Sequence, residues 1–107
     1  MSKTIEEAMM GCLELREFEP AEAGVLALKL GEEFGEFCET VLKETGHLRH
    51  KTLKEDSFGE AADIINVMLG VLQKLHPNLN NEELLSVLAY YVDLKRQKYE
   101  AILKNPR

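Results

Sequence analysis

Ile64-Ile65-Asn66-Val67-Met68-Leu69 is the stretch on which the fold turns. It is apolar on nearly every side, and a helix of that kind must be buried all round. The element around it starts near Ser57, where Ser57-Phe58-Gly59-Glu60 has the spacing of a capping box, and ends before His76-Pro77. Three other helical segments surround it in sequence. The first runs from Thr4 to Glu17, opens with the capping box Thr4-Ile5-Glu6-Glu7, and places Ile5, Met9, Cys12 and Leu13 on one face. The second runs from Pro20 to Thr45. Pro20 suits a first helical turn, where its missing N–H has no partner to lose, and Gly46 suits a left-handed C-cap. Its apolar positions include Val25, Leu26, Leu30, Phe34, Phe37, Cys38, Val41 and Leu42. A polar loop, His47 to Asp56, carries Arg49, Lys51 and Lys54. The fourth helix is capped by Asn80-Asn81-Glu82-Glu83, presents Leu84, Val87, Leu88, Tyr91 and Leu94, and finishes in the basic segment Lys95 to Lys104.

No β alternation, internal repeat or linker interrupts this pattern, so the sequence predicts an all-α, four-helix bundle as a single domain over residues 1–107. Three helices of this length cannot fully cover the apolar third helix. The expectation is a homo-oligomer, either a homodimer built on helices three and four or a homotetramer. Composition agrees with a single core: 107 residues leave no room for two. Nineteen acidic against thirteen basic side chains give a net charge of −6, which argues against nucleic-acid polymers as partners, because phosphates need Lys and Arg to neutralise them.

Cys12 and Cys38 sit in apolar helical patterns without a CxxC, far from His47 and His50, and read as small buried hydrophobes rather than zinc ligands or a disulfide. That usage fits a reducing cytoplasm. MSKTIEEAMM resembles no signal segment, and no stretch approaches the roughly 20 apolar residues of a membrane span. A cytoplasmic protein without membrane partners is expected.

The carboxylates carry the functional signal. Between residues 22 and 44 lie Glu22, Glu32, Glu33, Glu36, Glu39 and Glu44 against Lys29 and Lys43. Glu32, Glu33, Glu36 and Glu39 make several pairs three or four residues apart, and each like-charge pair at that spacing costs a helix about 0.2–0.5 kcal/mol. They lie beyond the first turn, where the helix dipole would favour anions. Glu60 and Asp63 repeat the i, i+3 spacing on the third helix, directly before its apolar run. An acid-rich helix by itself is ordinarily a solvated face, and Glu60 by itself can be the third member of a Ser57 capping box. Asp63, between Ala62 and Ile64, would be costly to bury unpaired. If helices two and three pack antiparallel, Glu33 and Glu36 face Glu60 and Asp63. Four carboxylates around one small volume suit a hard cation, Mg²⁺ or Mn²⁺.

Lys29-Leu30-Gly31-Glu32-Glu33-Phe34-Gly35-Glu36, followed by Glu60-Ala61-Ala62-Asp63, resembles the EExxE…ExxD signature of MazG-like nucleotide pyrophosphohydrolases, the all-α NTP pyrophosphatases. The resemblance covers residues 20 to 75 by motif and the whole chain by length and helix order. It implies Mg²⁺-dependent hydrolysis of a nucleoside triphosphate to monophosphate and pyrophosphate, in a helical dimer or tetramer. It implies Glu33, Glu36, Glu60 and Asp63 as metal ligands, Glu32 as a group that either supports those ligands from behind or assists the attacking water, and Lys29 near the phosphates. The chain departs from the pattern at Gly59, where relatives often carry another acid, and in having no Trp to stack on a base.

Further substrate-binding candidates are Lys51 and Lys54 in the loop, Lys95 and Lys98 on the fourth helix, and Asn66, whose amide needs partners in an apolar run. Each has a plainer reading, as a solvated lysine or a helix–helix hydrogen bond. Tyr90, Tyr91 and Tyr99 read as packing residues before they read as base-stacking ones. Two alternatives stand beside the main expectation: a phosphoribosyl-ATP pyrophosphatase-like enzyme, and a non-catalytic helical interaction module with a vestigial site. A di-iron bundle is disfavoured. Glu44-Thr45-Gly46-His47 spells Glu-x-x-His only across a helix end, and no second copy exists.

Overall fold

The computed structural model describes residues 2–47 and 56–105, and these form four α-helices with no strand among the described residues. The helices are α1 (Ile5–Arg16), α2 (Ala23–Glu44), α3 (Ser57–Leu75) and α4 (Asn81–Lys104). Local chemistry sets most of the boundaries. At α1 the Glu7 N–H donates to Thr4 Oγ1 at 3.0 Å while the Thr4 N–H donates to Glu7 Oε1 at 2.9 Å. At α4 Asn80 and Glu83 make the same reciprocal pair at 2.8 and 2.9 Å. Both boxes satisfy donors that a helix start leaves open. α2 ends as its sequence predicts: Gly46 takes φ +87, the Gly46 N–H donates to Lys43 O, and the His47 N–H donates to Leu42 O. That is a Schellman motif, which a residue without Cβ enters at no steric cost.

Two boundaries differ from expectation. Pro20 is not in the first turn of α2; the helix starts at Ala23 after an extended Glu22. The connection before it is held by other bonds, with Glu19 accepting from Arg16 Nη1 at 3.1 Å and from the Ala21 N–H at 3.5 Å, and Lys74 Nζ donating to Glu19 O. α3 is capped by Asp56 and not by Ser57: the Asp56 carboxylate accepts from the Gly59 N–H at 2.9 Å. Ser57 instead donates its N–H to Glu44 Oε2 at 3.0 Å, tying the start of α3 to the end of α2. Moving the cap by one residue makes Gly59 the third helical position. Glu60 is thereby released from capping and turns inward.

α2 and α3 run antiparallel along each other, as Glu44–Ser57 at one end and Leu26–Gly70 at the other require. α1 crosses α3, and α4 touches α1 and α3 only near its start; α4 makes no contact with α2 among the described residues. The core is Leu13, Leu69, Leu84 and Leu85, with Met9, Met10, Cys12, Ile65, Leu72 and Leu88 packed around it. Leu26 and Val67 are buried on the α2 side of α3. Cys12 is half-buried, but Cys38 is exposed, against the expectation that both are buried, because its side of α2 has no neighbouring helix.

Much apolar surface remains outside this core. Phe18, Leu28, Phe34, Val41, Leu42, Val87, Tyr91, Leu94 and Ile102 are all exposed. The chain presents 8216 Å² of accessible surface, against about 6,100 Å² expected for a compact monomer of this mass. Its radius of gyration is 16.2 Å, against about 13 Å for a compact domain of this length. No helix is long and apolar enough to cross a membrane among the described residues.

Candidate metal and phosphate site

The antiparallel α2–α3 pair brings three of the acids together. Glu33 and Glu36 lie one turn apart on α2, and Glu60 faces them from the first turn of α3. One carboxylate oxygen from each lies within 4.8 Å of the other two. Glu33 and Glu60 are each only 5% exposed, while Glu36 is open to solvent. Glu33 Oε1 is 3.4 Å from Lys29 Nζ. Its other oxygen, Oε2, is buried with no hydrogen-bond partner among the described residues. A buried carboxylate oxygen in that state carries a desolvation cost, which the Lys29 ion pair on the other oxygen offsets only in part.

A hard divalent cation fits this donor set. All three ligands are oxygen, and one face of the group is open, as Mg²⁺ requires if it is to keep waters and meet a substrate.

Lys29 is the cation of the site. Its ammonium lies 3.4 Å from Glu33 and 3.8 Å from Glu32. The hydrogen bond and charge of Glu33, and then the charge of Glu32, raise its pKa above the ordinary lysine value, so it stays charged throughout the neutral range. Glu32 itself faces solvent, 69% exposed, beside Lys29 and outside the three-carboxylate group. Asp63 is half-buried one turn beyond Glu60 and is not part of that group. It lines an adjoining cavity of about 610 Å³, together with Glu33, Lys29, Asn66 and Val67. One helical turn separates Asp63 from Glu60, and its side chain is one methylene shorter than a glutamate. Both features keep it at the neighbouring level of the cleft.

Asn66 lies in the same cavity, and its amide is engaged across helices: Oδ1 accepts from Arg16 Nε at 3.0 Å, and Nδ2 donates to Cys12 Sγ at 3.3 Å. Lys95 and Lys98 are exposed on α4 and are not brought to the carboxylates within one chain. Lys51 and Lys54 fall outside the described residues. Tyr90 and Tyr91 are exposed and meet edge to face at 5.4 Å.

The residues missed in sequence are those of the α1 end. Arg16, Phe18 and Glu19 form the far wall of the cavity. A signal for Arg16 was present: it continues the Met9, Cys12, Leu13 stripe by one more turn, and an arginine on an inward-facing stripe needs a reason. No protein-family model, curated protein or solved structure matches this chain.

Proposed function

We propose that the protein hydrolyses a nucleoside triphosphate, NTP or dNTP, to the monophosphate and pyrophosphate, using Mg²⁺ or in its place Mn²⁺. The observation that carries this reading is the group of Glu33, Glu36 and Glu60, assembled from two helices around a buried glutamate oxygen without a protein partner. An arrangement that costs stability when empty and is opened to a cavity of substrate size is the expected form of a functional site.

Glu33, Glu36 and Glu60 would hold the cation, with Asp63 at its edge facing the cavity. When bound, the cation supplies positive charge that offsets the phosphate oxygens and favours ionisation of an attacking water. The chain's own groups do the rest. Lys29, charged at neutral pH, draws in and orients a phosphate oxygen at the mouth of the site. Glu32, reaching solvent beside Lys29, can take the proton that the water gives up. Lys29 would balance part of the charge that the departing pyrophosphate carries.

A homo-oligomer belongs to the same reading. Exposed Phe34, Val41 and Leu42 on α2, and Val87, Tyr91 and Leu94 on α4, with the surface excess noted above, support burial against a second copy. In such an assembly Lys95 and Lys98 would reach the site from the partner. Light scattering tests the assembly, and a monodisperse 12.2 kDa species at micromolar concentration would reject it. The test of the function is a panel of canonical and modified NTPs and dNTPs with Mg²⁺, scored for products. Monophosphate plus pyrophosphate is expected. Diphosphate plus phosphate, or no turnover across the panel, would overturn it.

A further inference from the structure

Arg16 is built into the cavity more thoroughly than a surface arginine. Its side chain is 18% exposed, and its stem lies along Gly70 of α3. A Cβ at that glycine would come within 3.2 Å of Arg16 Cδ and 3.3 Å of Leu26 Cδ1, so the absence of a side chain there makes room for the arginine. Nε donates to Asn66 Oδ1 at 3.0 Å and Nη1 to Glu19 Oε1 at 3.1 Å. A guanidinium has five N–H donors in a fixed fork. Nη2 has no acceptor among the described residues, and Arg16 lines the cavity that also holds Lys29, Glu33 and Asp63. A tie between α1 and α3 would account for the Asn66 bond alone. The ion pair with Glu19 accounts for Nη1; neither contact uses Nη2, on a side chain that lines the same cavity of about 610 Å³ as Lys29.

We propose that Arg16 is a phosphate-binding residue that receives one end of a polyphosphate chain, with Asn66 and Glu19 holding its fork in place. Glu60, Asp63 and Asn66 descend the same side of α3, and the six steps from Glu60 to Asn66 span about 9 Å of helix axis. A chain of linked phosphates bridges the carboxylate group at one end and Arg16 at the other, and this second half of the assignment rests on the metal reading given above. Arginine suits the role because its planar fork can engage two phosphate oxygens at once.

The test is calorimetric titration of the full chain with inorganic tripolyphosphate in Mg²⁺, alongside Mn²⁺ alone followed by electron paramagnetic resonance. Arg16→Gln is expected to weaken tripolyphosphate binding by about tenfold or more, the range for a lost charged hydrogen bond, with Mn²⁺ affinity unchanged. Arg96→Gln removes the same charge from exposed α4 and should leave both affinities alone. If Arg16→Gln fails to fold, Arg16→Lys decides instead, because it keeps charge and stem but loses the fork; a loss of threefold or more is expected. No tripolyphosphate binding by wild type, a loss smaller than threefold, or an equal loss in Arg96→Gln would overturn the assignment. Polyphosphate binding that depends on Arg16 without Mn²⁺ binding would keep Arg16 and reject the metal reading. Mn²⁺ binding with polyphosphate affinity indifferent to Arg16 would do the reverse.

Discussion

α3 has two sides that obey opposite rules. On one side Leu69 meets Leu13, Leu84 and Leu85, and nothing charged intrudes. On the other, Glu60 is as deeply buried as Leu84 or Val67, yet it faces two more glutamates. The first side gains from burial, at about 25 cal/mol per Å² of apolar surface removed from water. The second gains nothing comparable by itself, since desolvated like charges oppose folding. The helix therefore joins a stabilising face to a face held in place at some cost. That division is what a site on a small scaffold requires: the core supplies the stability, and the carboxylates are free to be arranged for a ligand.

The comparison breaks first at the core. Leu69→Ala removes a fully buried side chain shared by α1, α3 and α4, and should cost about 3 kcal/mol, or 10 °C or more in Tm. Thermal melting checks it, and a shift under 3 °C would mean that the apolar side does not carry the fold.

On the polar side the expected effect is on rate. Glu36→Gln keeps size and helix propensity but removes a ligand charge, so turnover should fall by about 10²-fold or more, in the range for lost electrostatic stabilisation, about 2.7 kcal/mol. Glu22→Gln, at the N-cap of α2 and outside the group, should stay within about twofold. The metal-free melting temperature of Glu36→Gln should be unchanged or slightly higher, because one repulsion is gone. Equal activity of Glu36→Gln and wild type would dissolve the distinction between the two faces.

Mg²⁺ sharpens the contrast. A ligand that binds only the folded state stabilises it by about 2.7 kcal/mol at a hundredfold excess over Kd. Wild type should melt higher in millimolar Mg²⁺, and Glu60→Gln should lose most of that rise. Asp63→Asn, one turn outside the three-carboxylate group, should lose less of it. The order of these two variants in a fluorescence melt tests the cation site proposed at Glu33, Glu36 and Glu60; an inverted order would move its centre to Asp63.

The smallest effects belong to the ends of the helices, where neither rule applies. Asn80→Ala removes the acceptor of the α4 capping box, and should cost about 1 kcal/mol. Urea titration reads it as a lower midpoint at constant slope. Lys29 sets a pH limit. Its folded pKa lies above the ordinary 10.5, so its contribution is present at neutral pH and is lost as pH rises through the folded value. Activity should decline on the alkaline side without a fall in helicity below that point.

Legibility in the sequence followed the range of the interactions. Thr4-Ile5-Glu6-Glu7, Asn80 with Glu83, and Gly46 are contacts within one turn, and each forms as its residues predict. Pro20 and Ser57 failed for one reason. In both cases a neighbour makes the competing bond: Glu19, before Pro20, is held through its carbonyl by Lys74, and Asp56, before Ser57, takes the cap by accepting from the Gly59 N–H. Among the site residues, helical spacing placed Glu33 with Glu36 on one face of α2, while their meeting with Glu60 required the antiparallel packing of α2 against α3. The grouping excluded Asp63 and Glu32, whose distances depend on how α2 and α3 are rotated about their axes, a quantity that periodicity does not carry.

By itself the sequence determined the class of structure: four helices, the caps at the starts of α1 and α4 and the end of α2, and an acid-rich face on each of two neighbours. These follow from bonds within three or four residues and from the 3.6-residue period, which any local stretch expresses without its partners. Tertiary structure alone decided that Glu33 keeps a buried oxygen without a protein donor, that Cys38 faces out, and that Arg16 lies along Gly70 and across the cavity from Lys29. Those outcomes depend on residues some fifty positions apart, as Arg16 and Asn66 are, meeting in one orientation. Close packing of side-chain shapes across the helix interfaces selects that orientation.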